Sequence, residues 1–387
     1  MPYETGTASD YRDLLDKLRR FICGYGVAGT PAFAGSGPGT ISFDTLPASV
    51  TETWTITCTD DSTPGAEVWS VTGSVSGAQA AATTGVAYDN SIITFTISGS
   101  GYAVADEFEA AVTQGALSAD SQAWEELRWQ AAGGEDELLV KGTGLAGTDE
   151  IYAGIRTYSS VAGNYYNWEI VGMLGHESGF TFQNQPGIFA SLYPKMYLFN
   201  STITYWFIAN GRRFIVVAKV STVYEACYNG LITPYSPESV LPLPHFVAGS
   251  GTTVAARYSA TDANHTHGLI VPSGDGTRLY TGEQWRSLNA SSNGLWPYAE
   301  AVTYFSGPKT ITDLLRPNVD ASHTLFPIIP FFTSPITQVF GELDGCFWTS
   351  YFSNAAENLI DVGGVDHLVV QNCFRTGANN YWAAKLE

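Results

Sequence analysis

The residues best suited to chemistry by type and spacing are His265 and His267, which flank Thr266 and follow Asp262. On a strand, two histidines one residue apart project from the same face, as a pair of imidazole metal ligands requires. Their surroundings argue against that use. Asn264, Gly268 and the run Ala260-Thr261-Asp262-Ala263 have the composition of a loop tip, and no third ligand stands in register. These residues therefore read as polar loop histidines, and neither a metal nor any other cofactor is expected. His176-Glu177-Ser178 gathers a base, a carboxylate and a hydroxyl, but adjacent residues cannot converge as a triad, and no Gly-x-Ser-x-Gly elbow exists. Cys227, Cys346 and Cys373 lie in aromatic or apolar stretches, which suits buried, inert thiols better than nucleophiles. A glycosidase needs two carboxylates across a cleft, and spacing singles out no such pair among the 37 acidic residues. No P-loop and no dinucleotide-binding glycine motif is present.

Flat rings beside amides are the chemistry that holds sugars. Tyr165, Tyr166 and Trp168 around Asn167, and Tyr381 and Trp382 after Asn380, are the candidate glycan contacts. The same rings also suit a sheet core or a seam between subunits. Glu135-Asp136-Glu137 is a local acidic cluster that lacks the spaced oxygen ligands of a calcium loop and reads as a solvated turn.

The first element that must position such residues is a helix. Ser9 or Asp10 can cap it, and Tyr11, Leu14, Leu15, Leu18, Phe21 and Ile22 recur at helical spacing along one face. A single short helix cannot bury its own stripe, so it docks either on this chain or on a neighbour. Tyr11, Leu14, Leu15, Leu18 and Phe21 are assigned here as oligomer or partner contacts. The Gly/Pro/Ala-rich run from Gly24 to Gly39 reads as an extended arm. Alternation then takes over in Val50–Cys58, Val68–Val75 and Ile93–Ile97, separated by Asp/Ser/Pro/Gly turns, as in a small sandwich. Residues 118–140 hold a weaker helical pattern, or a loop anchored by Trp124, Leu127 and Trp129. Beyond it, apolar strand segments continue to the end, among them 151–158, 165–173, 196–210, 213–228, 269–271, 299–305, 346–351 and 368–374. Asn210-Gly211 between apolar runs predicts a two-residue hairpin turn. The expected organisation is a helix and attachment arm over 1–37, an Ig-like β-sandwich over 38–117, and a jelly-roll or lectin-like β-sandwich over 118–387.

Composition supports a mainly β chain. Only 14% of the 387 residues are charged, while 40 glycines, 21 tyrosines, 20 phenylalanines and 10 tryptophans fill the space, a mixture suited to twisted sheets and tight turns. The net charge of −19 repels phosphate backbones and anionic lipid, which argues against nucleic-acid binding as a main role. Five scattered cysteines without a CxxC point to free thiols in a reducing compartment. No secretory signal is visible at the start, and no apolar run nears the roughly 18 residues a bilayer needs, so no membrane insertion is expected. Synthesis in the cytoplasm is the expectation.

Four stretches carry a resemblance to a known family: Asp10–Leu18, the Thr-rich module Glu52–Thr55 through Val71–Gly77, Asn210–Arg213 through Lys219–Glu225, and Val369–Thr376 to Ala383–Glu387. In these the chain resembles bacteriophage virion structural proteins associated with the tail, baseplate or collar. The resemblance implies a virion component near the tail, baseplate or neck. Independently, low charge density and abundant aromatics suit a non-enzymatic homo-oligomer, a trimer or hexamer, that contacts other virion proteins. A glycan-binding host-receptor protein, a polysaccharide depolymerase and a head decoration protein are the rival expectations.

Overall fold

A computed structural model describes residues 3–44, 46, 50–119, 122–132, 134–144, 150–189, 192–237, 239–289, 293–298, 323–333, 338–350, 354–377 and 380–387. The chain is mainly β and its sheets are antiparallel. It forms two compact units: Arg20–Ala123, and Met1–Arg19 together with Trp124–Glu387. The smaller unit is thus an insertion in the sequence of the larger, and the division falls within the helix Tyr11–Ile22.

In the smaller unit, a sheet built around Glu52–Asp60, Val68–Gly73 and Glu107–Thr113 faces a second sheet of Thr40–Phe43, Thr94–Ser98 and Tyr88–Asp89. The alternation seen in the sequence decides which side chains meet. Trp54, Ile56, Trp69, Val71, Phe108 and Val112 from the first sheet close on Phe95 and Ile97 from the second. The threonines of opposite parity point outward, half-buried. The arm expected over 24–37 is no free linker. Val27–Ala28 and Ala32–Ala34 pair with Glu107–Thr113, and the Phe33 ring packs 4.7 Å from Phe108. Its glycines break helix but leave short extended segments between them, and these find a sheet edge. Asp106 fixes the arm by accepting the backbone N–H groups of Ser36 and Gly37, each at 3.0 Å. Burial pushes this carboxyl up, and the backbone donors, Ala103 N–H among them, outweigh burial and hold it below its ordinary value.

The larger unit is organised by a ten-stranded sheet. Its order runs Tyr3–Ala8, Ile203–Asn210, Arg213–Val220, Val223–Leu231, His245–Ala248, Ser273–Tyr280, Trp285–Asn289, Asn293–Trp296, Ile329–Phe332 and Gln338–Val339. Tyr224, Ala226 and Tyr228 point from one face into a core shared with Trp348, Leu368, Val370 and Trp382 of a C-terminal five-stranded sheet. On the other face Asn229 Nδ2 donates to Val171 O at 2.8 Å, in a second five-stranded sheet spanning Glu125 to Leu198. Covered on both sides, Val223–Leu231 is buried at every position, which is why its sequence reads as a continuous rather than an alternating run.

The helix stripe is satisfied within the chain. Tyr11, Leu14, Leu15, Leu18 and Phe21 are all buried, so the docking assigned to a partner takes place in cis. Trp168 Nε1 donates to Tyr11 O at 2.8 Å, the Tyr11 and Tyr166 rings lie 5.4 Å apart, and Arg12 bonds Asp136 with two nitrogens. That last contact removes Asp136 from the expected solvated turn: it is buried and ion-paired.

The helical pattern expected over 118–140 is instead a hairpin, Glu125–Ala132 with Glu135–Gly142, after one short helical turn at Ala116–Ala119. A bulge at Leu127 shifts the register, which breaks the period-2 signal and lets the segment mimic a helix. The segment 196–210 divides into Lys195–Leu198 and Ile203–Asn210, and 213–228 divides at a turn where Ser221 has φ 58°. Residues 269–271 form a turn, and the strand expected over 299–305 lies outside the described residues. The 203–220 hairpin stands, with a different turn. Asn210 pairs with Arg213, so Gly211-Arg212 form the loop, and Asn210 Oδ1 accepts the N–H groups of Arg212 and Arg213. Asparagine acts through its side chain here, and no left-handed backbone is needed.

Candidate functional site

The connection between strands His245–Ala248 and Ser273–Tyr280 brings two histidines against the buried strand Val223–Leu231. His265 and His267 are fully buried and are not loop-tip residues. Asp262 initiates the tight turn that delivers them, with Oδ1 accepting the N–H groups of Asn264 at 2.8 Å and His265 at 3.1 Å. Arg375 locks the same turn by donating to the carbonyls of Asp262, Ala263 and His265. Asp262 is therefore a turn former, and its carboxylate serves backbone N–H groups.

The two imidazoles have different tasks. His267 Nε2 donates to Tyr224 O at 2.9 Å, and Nδ1 accepts the Trp382 indole N–H at 3.0 Å. This fixes a neutral tautomer, and burial drives the group down to about 3. His265 Nδ1 donates to Ala260 O at 2.6 Å, and Nε2 meets Glu225 Oε1 at 2.7 Å. Burial pushes the Glu225 carboxyl up and alone would pull His265 down. The Glu225 charge and hydrogen bond outweigh burial and lift the imidazole above its ordinary value. Glu225 Oε2, in the same buried position, has no hydrogen-bond partner.

Cys373 completes the group. One ligating atom each from Glu225, His265 and Cys373 lies within 4.8 Å of the others, and all three residues are buried. Cys373 has φ 53°, a left-handed conformation that non-glycine residues rarely adopt. It is held there by its own carbonyl, which accepts Tyr224 N–H at 3.3 Å and Gln371 Nε2 at 3.1 Å. Burial raises its thiol well above the ordinary range, which disfavours a free nucleophilic thiolate. Cys227 is also buried, and its thiol rises to about 12; Cys346 is buried as well.

Sequence reasoning did not place Glu225 or Cys373 in this group. Glu225 is the one charge in the apolar run Val223–Tyr228, and a lone carboxylate in a fully buried strand requires a partner. Cys373 carries no comparable signal.

The glycan candidates fare differently. Tyr166, Trp168, Tyr381 and Trp382 are buried, and only Tyr165 is partly open, stacked 6.0 Å from Tyr158. Four of the five therefore offer no ring face to a sugar; they fill the core between sheets. A separate open groove of about 350 Å³ is lined by Ser236, Val240, Thr281, Glu283, Arg286 and Val339, among others. Among the described residues it is lined by one carboxylate, Glu283.

A second buried charge cluster is structural. Glu169 pairs with both Lys195 and Arg156. Burial pushes Glu169 up, and the Lys195 and Arg156 charges reverse this and hold it below its ordinary value. Burial also pulls Lys195 down. No helix among the described residues is long and apolar enough to cross a membrane. No protein-family model matches the chain, and no curated protein matches it.

Proposed function

We propose that this chain is a structural component of a tailed-bacteriophage virion, in the tail, baseplate or neck, which assembles as a homo-oligomer and meets neighbouring virion proteins. On this reading the smaller unit is an Ig-like sandwich and the larger a lectin-like body with an added covering sheet. Neither takes part in turnover. The observation that carries the proposal is the state of the sheet edges. Leu359–Val362 ends the C-terminal sheet with Leu359 55% and Val362 48% exposed, and Tyr3–Ala8 ends the ten-stranded sheet with Tyr3 49% exposed. Proteins usually blunt such edges with charge, proline or a covering element, because an apolar edge strand pairs readily with another chain. The groups best suited to chemistry are sealed in the core, which further supports an architectural role.

The experiment is native mass spectrometry of the purified chain, followed by immunogold localisation in whole particles. The reading expects a closed multiple of the 41.6 kDa chain, a trimer or hexamer, and label at the tail or neck. A monomer at all concentrations together with unlabelled particles would reject it.

A further inference from the structure

We propose that Glu225, His265 and Cys373 form a buried binding site for a zinc-type divalent metal ion, which staples three distant parts of the larger unit. The ligands are a carboxylate, an imidazole and a thiol, the set that zinc takes in proteins. They come from strand Val223–Leu231, from the turn that follows Asp262, and from the chain just after strand Val365–Gln371. Their ligating atoms already lie within 4.8 Å of one another, so shifts of about an ångström suffice to surround one ion.

Three details go beyond proximity. First, His265 donates Nδ1–H to a backbone carbonyl, that of Ala260, and so presents Nε2 to the cluster. Metal-ligating histidines are oriented in just this way by their second nitrogen. Second, Glu225 Oε2 is fully buried and unpartnered. A carboxylate oxygen buried without a donor is costly, and a cation would satisfy it. Third, Cys373 is held in a left-handed conformation beside these groups, and backbone strain of that kind persists where a site needs it.

Charge completes the case. A divalent ion with one carboxylate, one thiolate and a neutral imidazole makes a neutral buried unit. Binding displaces the proton between His265 and Glu225 and the thiol proton of Cys373, both of which leave to solvent. The His265–Glu225 contact of 2.7 Å would open by about half an ångström to admit the ion. His267 is excluded as a ligand, since Trp382 occupies its Nδ1 and Tyr224 O its Nε2. Nothing here depends on the assembly proposed above.

The test uses the full chain, produced in zinc-supplemented cells, purified and dialysed against metal-free buffer without chelator. Elemental analysis should find close to one zinc per chain. X-ray absorption at the zinc edge should show a single sulfur at about 2.3 Å, with nitrogen or oxygen for the remaining neighbours. Cys373→Ser should remove the sulfur signal, and Cys346→Ser, another buried thiol outside the cluster, should retain it. Zinc content near zero, or a wild-type shell without sulfur, would overturn the proposal, and neither result requires the variants to fold.

Discussion

Buried histidines make the stability of the larger unit depend on acidity. His245 is fully enclosed; its Nε2 meets Asn229 Oδ1 at 2.7 Å and its Nδ1 has no partner. Burial lowers it from 6.5 to about 3. Between those values the unfolded chain carries a proton that the folded chain refuses. The contribution of His245 is therefore complete above pH 6.5 and declines as pH falls toward 3. The loss approaches ~1.4 kcal/mol for each pH unit within that window. His245→Gln keeps a donor for Asn229 and cannot titrate. Denaturant midpoints at pH 7.5 and 5 should lie closer together in this variant than in the wild type; equal gaps would contradict the assignment.

At the scale of the element, the edge strand Leu359–Val362 makes a sharper forecast than composition could. Replacing both Leu359 and Val362 with lysine adds the charge that exposed sheet edges normally carry. Both positions are exposed, so folding stability should change by less than about 0.5 kcal/mol. The oligomer proposed above, followed by light scattering, should dissociate. An unchanged oligomer would move the contact surface elsewhere. This scale also shows what could be read in advance. Strands of clean alternation, such as Glu52–Asp60 and Thr94–Ser98, were legible because one face is buried and the other is not. The bulged strand Glu125–Ala132 was not, since one inserted residue destroys the period. The strand Tyr3–Ala8 was missed because its partner, Ile203–Asn210, supplies the pairing from far away in sequence. The site was half legible. His265 and His267 stood out as a pair, but their loop-like flanks concealed a turn that plunges inward, and only tertiary structure brings Glu225 and Cys373 beside them.

The whole molecule consists of two units with separate cores, so mutations should report on them separately. Phe108 is central to the smaller core, and Trp168 lies buried in the larger unit with its indole bonded to Tyr11 O. Truncating either to alanine should cost about 3–5 kcal/mol locally. Calorimetry should show two transitions, with Phe108→Ala lowering one and Trp168→Ala the other. A single transition that moves equally in both variants would show that the units unfold as one.

The pairing of Tyr3–Ala8 with Ile203–Asn210 also bears on how the protein is made. Tyr3–Ala8 cannot take its place in the sheet until some two hundred later residues have been translated. Until then it remains an unclaimed ribbon, open to the matching strand of another nascent copy. Contacts so distant in sequence slow folding, because a large loop must close before they form. Crowded synthesis should therefore favour exchange of this ribbon between neighbouring chains, and shortening it should reduce such tangles while weakening the finished sheet.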